Sequence, residues 1–139
     1  LVRPLLAADP RGAAVGAQLT AVQNELIALM GEISCAECDS ARYATSTFEK
    51  IGAENVARLD AAVAELESRG LKFDGWATPG ATAAAGAIEF ARATARRAER
   101  RLVALPAHGR SVRAELKQYI NRLSDLLWLL AREAEQAGR

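Results

Sequence analysis

Five arginines crowd one short stretch of this sequence: Arg92, Arg96, Arg97, Arg100 and Arg101 surround Glu99, and Asn121-Arg122-Leu123-Ser124-Asp125 follows them. A guanidinium presents a planar fork of donors that matches phosphate oxygens two at a time, and an asparagine adds an amide. A fully paired arginine–phosphate contact contributes about 1.5–3 kcal/mol, whereas arginines buried without a counter-charge destabilise a fold. The chemistry indicated is recognition of a phosphate-rich ligand. The plainer alternative is a solvated face with internal pairs, such as Glu89 with Arg92 and Glu99 with Arg92 or Arg96, since charge runs are usually exposed.

Helical periodicity decides which of these residues can act together. Ala84, Ile88, Ala91, Ala95, Ala98, Leu102 and Leu105 recur at alternating spacings of four and three, the spacing of one helix face. With Gly86 and so many alanines, this seam carries little bulk, so a neighbouring helix can approach closely. Glu89, Arg92, Arg96, Glu99 and Val103 form a stripe beside it, while Arg97 and Arg101 lie on a third, solvent-facing line. A later segment repeats the arrangement, with Leu116, Ile120, Leu123, Leu127, Leu130 and Ala134 as its seam and Asn121, Asp125, Trp128 and Arg132 as its flank. Two polar stripes can therefore meet between helices.

Two further seams, Val15-Leu19-Val22-Leu26-Leu29-Ile33 and Val56-Leu59-Val63-Leu66, give four amphipathic segments. The expected fold is all-α, an antiparallel bundle of four long helices at shallow crossing angles, with Leu1 to Ala7 as the tail of a further helix. Asp9-Pro10 and Gly12, Gly70, Pro79-Gly80, Pro106 and Gly109 punctuate the segments where helices should start and stop. Nothing in the pattern suggests a sheet.

With 139 residues, half of them hydrophobic and only 5% aromatic, the chain reads as one domain whose core is built from Ala, Leu and Val. The net charge of +1 makes the basic cluster local, which argues against a general nucleic-acid binder. The apolar run Leu126 to Ala131 is too short to span a bilayer, and no cleavable signal pattern opens the sequence; the expected location is the cytoplasm. Cys35 and Cys38 form a lone C-x-x-C, read as two reduced cysteines at a helix end, with a redox pair or a zinc half-site shared between subunits as alternatives. His108 is distant in sequence, and no Glu-x-x-His pair supports ferritin-type metal chemistry.

The stretch from Ala91 to Arg101, then Tyr119 to Asp125 and Leu130-Ala131-Arg132, with Pro79-Gly80 ahead of them, resembles the signature of PduO-type ATP:cob(I)alamin adenosyltransferases, the corrinoid adenosyltransferases. Ala21-Val22-Gln23-Asn24-Glu25-Leu26 extends the likeness more weakly. The resemblance implies a ferritin-like five-helix bundle that trimerises and binds ATP and corrinoid between subunits. It implies attack of a Co(I) corrinoid on the 5′ carbon of ATP, with release of triphosphate and no catalytic acid or base. It places Arg92, Arg96, Arg97, Glu99, Arg100 and Asn121 at the ATP site, with magnesium accompanying the nucleotide. Trp76 would press on the corrin and keep its lower ligand away; Trp128 reads instead as core or interface. A reductase and an acceptor enzyme that uses adenosylcobalamin would be further partners.

Several positions depart from the family pattern. Its amino-terminal Thr-Gly-Asp-x-Gly loop has no counterpart here, so residues 1–139 are expected to form a single adenosyltransferase-like helical domain without the phosphate-loop segment. Glu89 stands where the family has His, Ala93 where it has Thr, and Ala81 where its loop has a second Gly. Ser34 to Lys50 has no evident counterpart. Glu89, one turn before Arg92, can compete with phosphate for that arginine. The alternatives to an adenosyltransferase are a non-catalytic corrinoid- or nucleotide-binding relative and a purely structural bundle.

Overall fold

A computed structural model describes residues 12–72 and 77–136. Trp76, Asp9-Pro10 and the expected helix tail at residues 1–7 lie outside them. The described chain forms helix α1 (Gly12–Ser34), a 3₁₀ turn (Glu37–Asp39), short helix α2 (Ser40–Ala44), α3 (Ala53–Ser68), α4 (Ala83–Ala104), a second 3₁₀ turn (Leu105–His108) and α5 (Ala114–Gln136). No strand occurs among the described residues.

Local signals set the boundaries. Asn55 Oδ1 accepts from the Gly52 backbone N–H at 2.8 Å at the start of α3, and the Thr82 hydroxyl accepts from the Ala85 N–H at 3.1 Å at the start of α4. Each satisfies an amide that a helix terminus would leave orphaned. Gly70, with φ of 67°, turns the chain after α3, and Gly80, with φ of 101°, turns it into α4; a side chain at either position would strain the backbone.

Ion pairs between helices fix the chain directions. Glu25 meets Arg58, and Glu32 lies beside Arg113, which also donates to the Ile51 carbonyl, so α1 runs antiparallel to α3. Glu89 pairs with Arg132 and Glu99 with Asn121, making α4 antiparallel to α5. Asp60 with Arg122 and Arg69 with Glu133 show that α3 and α5 run the same way. The four long helices thus alternate up and down.

Helix α5 is the axis of the core and packs most extensively against α4 and α3. Leu116, Tyr119 and Leu126 are fully buried, and burial extends well beyond the expected seam to Leu129, Ala131, Arg132 and Glu133. A leucine truncated to alanine in such a setting costs about 2–5 kcal/mol. Along α4, Ile88, Ala95 and Leu102 are buried as the spacing predicts. The buried arc also takes in Ala85 and Glu89, then narrows toward the carboxyl end and leaves Ala98 exposed. Among the described residues no helix lies against Gly86: its nearest neighbour outside α4 is the Gly80 backbone, 3.6 Å from where a Cβ would stand.

Helix α1 is more open. Val22 is its one buried hydrophobic residue among those described, with Leu19, Leu26, Leu29 and Ile33 half-buried against the core and Ile27 and Met30 exposed. The segment that the sequence left unplaced, Ser34 to Lys50, folds back across this end. Tyr43 stacks on Phe48, its hydroxyl would lie 3.2 Å from a Cβ at Gly31, and Lys50 sits over its ring. Among the described residues no helix is long and apolar enough to cross a membrane.

Candidate functional site

The arginine stripe of α4 faces a groove of about 440 Å³ between α3, α4 and α5, walled by Arg92, Arg96, Arg122, Ser124, Asp125 and Trp128 among others. Antiparallel packing of α4 on α5 brings the two flanking stripes together, because residues advancing along one helix meet residues descending the other. Arg96, Glu99 and Asn121 consequently converge: Arg96 pairs with Glu99 Oε2, and the Asn121 amide donates to Glu99 Oε1 at 2.9 Å. Glu99 orients a cation and an amide at once.

The other expected residues divide into two groups. Arg92 is half-buried, its Nε donating to Glu89 Oε2 at 2.7 Å, and it lines the groove beside Arg96. Arg97 and Arg100 are exposed, as is Arg101, and none of the three forms an ion pair with a described residue. They project from α4 on the side that also exposes Phe90. Both internal pairs foreseen for a solvated face, Glu89 with Arg92 and Glu99 with Arg96, do form, but they occupy only two of the five arginines. Trp76 lies outside the described residues.

Three site features escaped the sequence reading. Arg122, adjacent to Asn121, adds a third cation to the groove, held by Asp60 and by Asp125 at 3.1 Å. Ser124 is buried and lines the wall, its hydroxyl donating to the Ile120 carbonyl. Glu89 and Arg132, assigned to flanking stripes, are instead only 7% and 3% exposed and bond to each other at 2.9 Å. A spacing argument places a residue on a face but cannot say how far the neighbouring helix wraps over that face. Trp128 is half-buried against the core, as expected, but it also lines the groove, with the Arg132 guanidinium over its ring at 5.8 Å.

A second charged cluster binds α1 to the rest of the bundle. Glu25 accepts from Arg58, from the Asn55 amide at 3.0 Å and from the Tyr119 hydroxyl at 2.6 Å. Burial alone would raise its carboxyl, but the bonds from Arg58, Tyr119 and Asn55 outweigh burial and hold it below the usual range. Burial and the Glu25 carboxylate push the Tyr119 hydroxyl far up, keeping it a donor. Arg113 forks onto both Glu32 oxygens at 2.7 Å, and Arg110 spends its guanidinium on Glu37 and on the Glu32, Cys35 and Ser111 carbonyls. These groups form a structural knot. Cys35 and Cys38 are free thiols beside it, and no group of three or more His, Cys, Asp or Glu among the described residues is placed to hold a metal ion.

The described chain is thus an all-α bundle domain that gathers arginines from two antiparallel helices onto one groove. The comparisons with known proteins say which kind: the chain belongs to the cobalamin adenosyltransferase family, whose sequence model matches residues 2–134. It is 48% identical over 82 residues to the corrinoid adenosyltransferase PduO of Citrobacter freundii, covering 59% of this chain and 24% of that protein. It is 38% identical over 124 residues to the corrinoid adenosyltransferase PduO of Salmonella typhimurium, covering 86% of this chain and 35% of that protein. A second corrinoid adenosyltransferase of Citrobacter freundii is 31% identical over 130 residues, covering 92% of this chain and 70% of that protein. The matched stretches thus span only 24% and 35% of the length of the two PduO proteins.

Proposed function

We propose that this protein transfers the 5′-deoxyadenosyl group of ATP to cob(I)alamin, giving adenosylcobalamin and triphosphate. The observation that carries the reading is the convergence of Arg96, Glu99 and Asn121 beside arginines that pair with no acid among the described residues. Family membership supplies the corrinoid; the arginines supply a reason for the triphosphate. In the step itself, the cobalt(I) electron pair forms the cobalt–carbon bond at C5′ as the C5′–oxygen bond breaks, and triphosphate leaves with that bonding pair.

Such a reaction needs placement and charge stabilisation rather than a base. Arg96, oriented by Glu99, would contact the triphosphate, joined by Arg97 and Arg100, while Asn121 fixes the Glu99 carboxylate. Arg92, which lines the same groove, would order its wall and reach the nucleotide from there. Magnesium keeps several waters and binds through few carboxylates; the groove offers Glu67 and Asp125, the latter already bonded to Arg122, so the ion would be held chiefly by the nucleotide. Trp76 would cover the corrin. Exposed arginines on an outer helix face suit a site completed by a neighbouring subunit in a ferritin-like trimer. The reaction also calls for a reductase and an adenosylcobalamin-dependent acceptor, in the cytoplasm.

One observation favours a second reading, a non-catalytic corrinoid- or nucleotide-binding relative: Glu89 already occupies Arg92. The two are separated by following cob(I)alamin absorbance anaerobically with the full-length protein. ATP-dependent loss of that absorbance with one triphosphate released per cobalamin converted supports the transferase. Nucleotide or corrinoid binding without conversion supports the relative, and binding of neither sinks both.

A further inference from the structure

Arg132 is the most deeply buried charged residue described in this protein, 3% exposed, yet its Nε has no hydrogen-bond partner. Its contacts with described residues run through Nη2, to Glu89 Oε1 and to Glu135 Oε1, each at 2.9 Å. Elsewhere the chain uses arginine differently. Arg58 engages Glu25 through both Nε and Nη2, and Arg113 engages Glu32 through the same two nitrogens. That side-on fork is the strong arrangement for a guanidinium and a carboxylate. Arg132 and Glu89 form half of it, and the Glu89 oxygen that could complete it, Oε2, is taken by Arg92 Nε at 2.7 Å.

An orphaned donor on a buried cation is costly, and the Glu89 oxygen that would complete the fork already accepts from Arg92. Arg92 differs from Arg132 in reach. Its side chain is 35% exposed and lines the groove, so it can exchange Glu89 for another anion without leaving the helix.

Building on the proposed ATP site, we propose that Glu89 and Arg132 are positioning residues that park Arg92 in the groove before the nucleotide arrives and release it to the nucleotide. When a triphosphate takes Arg92, Glu89 Oε2 accepts from Arg132 Nε and the fork closes. The bond that Arg92 gives up is replaced, and Glu89 is never left as a buried charge without a partner. The parked state lowers apparent ATP affinity by the fraction of molecules in which Arg92 is held, and Arg132 makes that cost recoverable.

The test is equilibrium ATP binding by the full-length protein, read by calorimetry, with unliganded melting temperature recorded for each variant. Glu89→Gln weakens the hold on Arg92 and should tighten ATP binding about threefold to tenfold. Arg132→Met leaves Arg92 as the counter-charge of Glu89 and should weaken ATP binding about tenfold or more; Arg132→Lys, with its charge but no fork, should fall between it and the wild type. In Arg92→Ala the effect of Glu89→Gln should vanish, which a merely structural role would not produce. Should Arg132→Met fail to fold, Arg132→Lys and the Glu89→Gln, Arg92→Ala pair still decide. ATP binding by the wild type with Glu89→Gln unchanged or weaker overturns the exchange alone. Absence of ATP binding by the wild type overturns the nucleotide site itself and the exchange with it.

Discussion

Two arginine-rich regions of this bundle stand in opposite states. Where α1 meets α3 and the start of α5, Arg58, Arg110 and Arg113 are matched by Glu25, Glu32, Glu37 and backbone carbonyls. On α4, Glu99 holds Arg96 and Glu89 holds Arg92, but Arg97, Arg100 and Arg101 find no acid among the described residues. The first region ties an open helix to the core and is complete within the chain. The second holds more cations than acids among the described residues. Abundance of arginine therefore says little about function here; the balance of its partners says much more.

The sharpest way to break this contrast is to remove one residue from each region. Arg96→Ala should weaken ATP binding by about 10- to 100-fold, the equivalent of one charged contact to phosphate, while moving stability by less than about 1 kcal/mol because its pair with Glu99 is substantially exposed on the arginine side. A comparable loss of melting temperature would make Arg96 part of the scaffold instead. Glu25→Ala should do the reverse. It leaves the Tyr119 hydroxyl without its acceptor in the core and should cost about 2 kcal/mol, a fall in Tm of roughly 5–10 °C, with ATP affinity per folded molecule unchanged.

Acid sharpens the same comparison. The Glu25 carboxyl is held below its ordinary value in the folded protein, so its contribution to stability is fully present above the unfolded value near 4.5 and is lost as pH falls through the lowered folded value. Urea titrations across that window should show a drop in stability with falling pH that Glu25→Gln flattens; an equally steep drop in the variant would assign the effect to other carboxylates. The smallest effect is expected between the two regions' margins, at the thiols. Cys35→Ser with Cys38→Ser should shift stability by no more than about 0.5 kcal/mol, with zinc content of the purified protein unchanged at zero by elemental analysis; stoichiometric zinc in the wild type would revive the shared half-site.

Much of this contrast was legible in the residues themselves. Three-and-four spacing located α4 and α5 and put Arg96, Glu99 and Asn121 on stripes that do meet, because both helices are long and the polar flank follows an unbroken apolar seam. The same reasoning failed where depth mattered. Glu89 and Arg132 carry the same signals as surface residues, and their burial follows from how far α5 is wrapped by its neighbours. The knot around Glu25 and Glu32 was also out of reach, since its partners lie 30 residues or more apart in sequence and belong to no shared periodicity. Ser34 to Lys50 offered no repeat at all, and its fold rests on Tyr43 finding Gly31 and Phe48.

Whether Arg97 and Arg100, which pair with no acid among the described residues, serve a nucleotide is decided by ATP-dependent thermal stabilisation of the full-length wild type and of Arg97→Ala with Arg100→Ala. Because a ligand that binds the native state raises its melting temperature, the wild type should melt higher with ATP and the double variant should not, although both melt within about 2 °C of each other without it. Equal stabilisation of the two proteins by ATP would contradict the account, showing that these cations serve something other than the triphosphate.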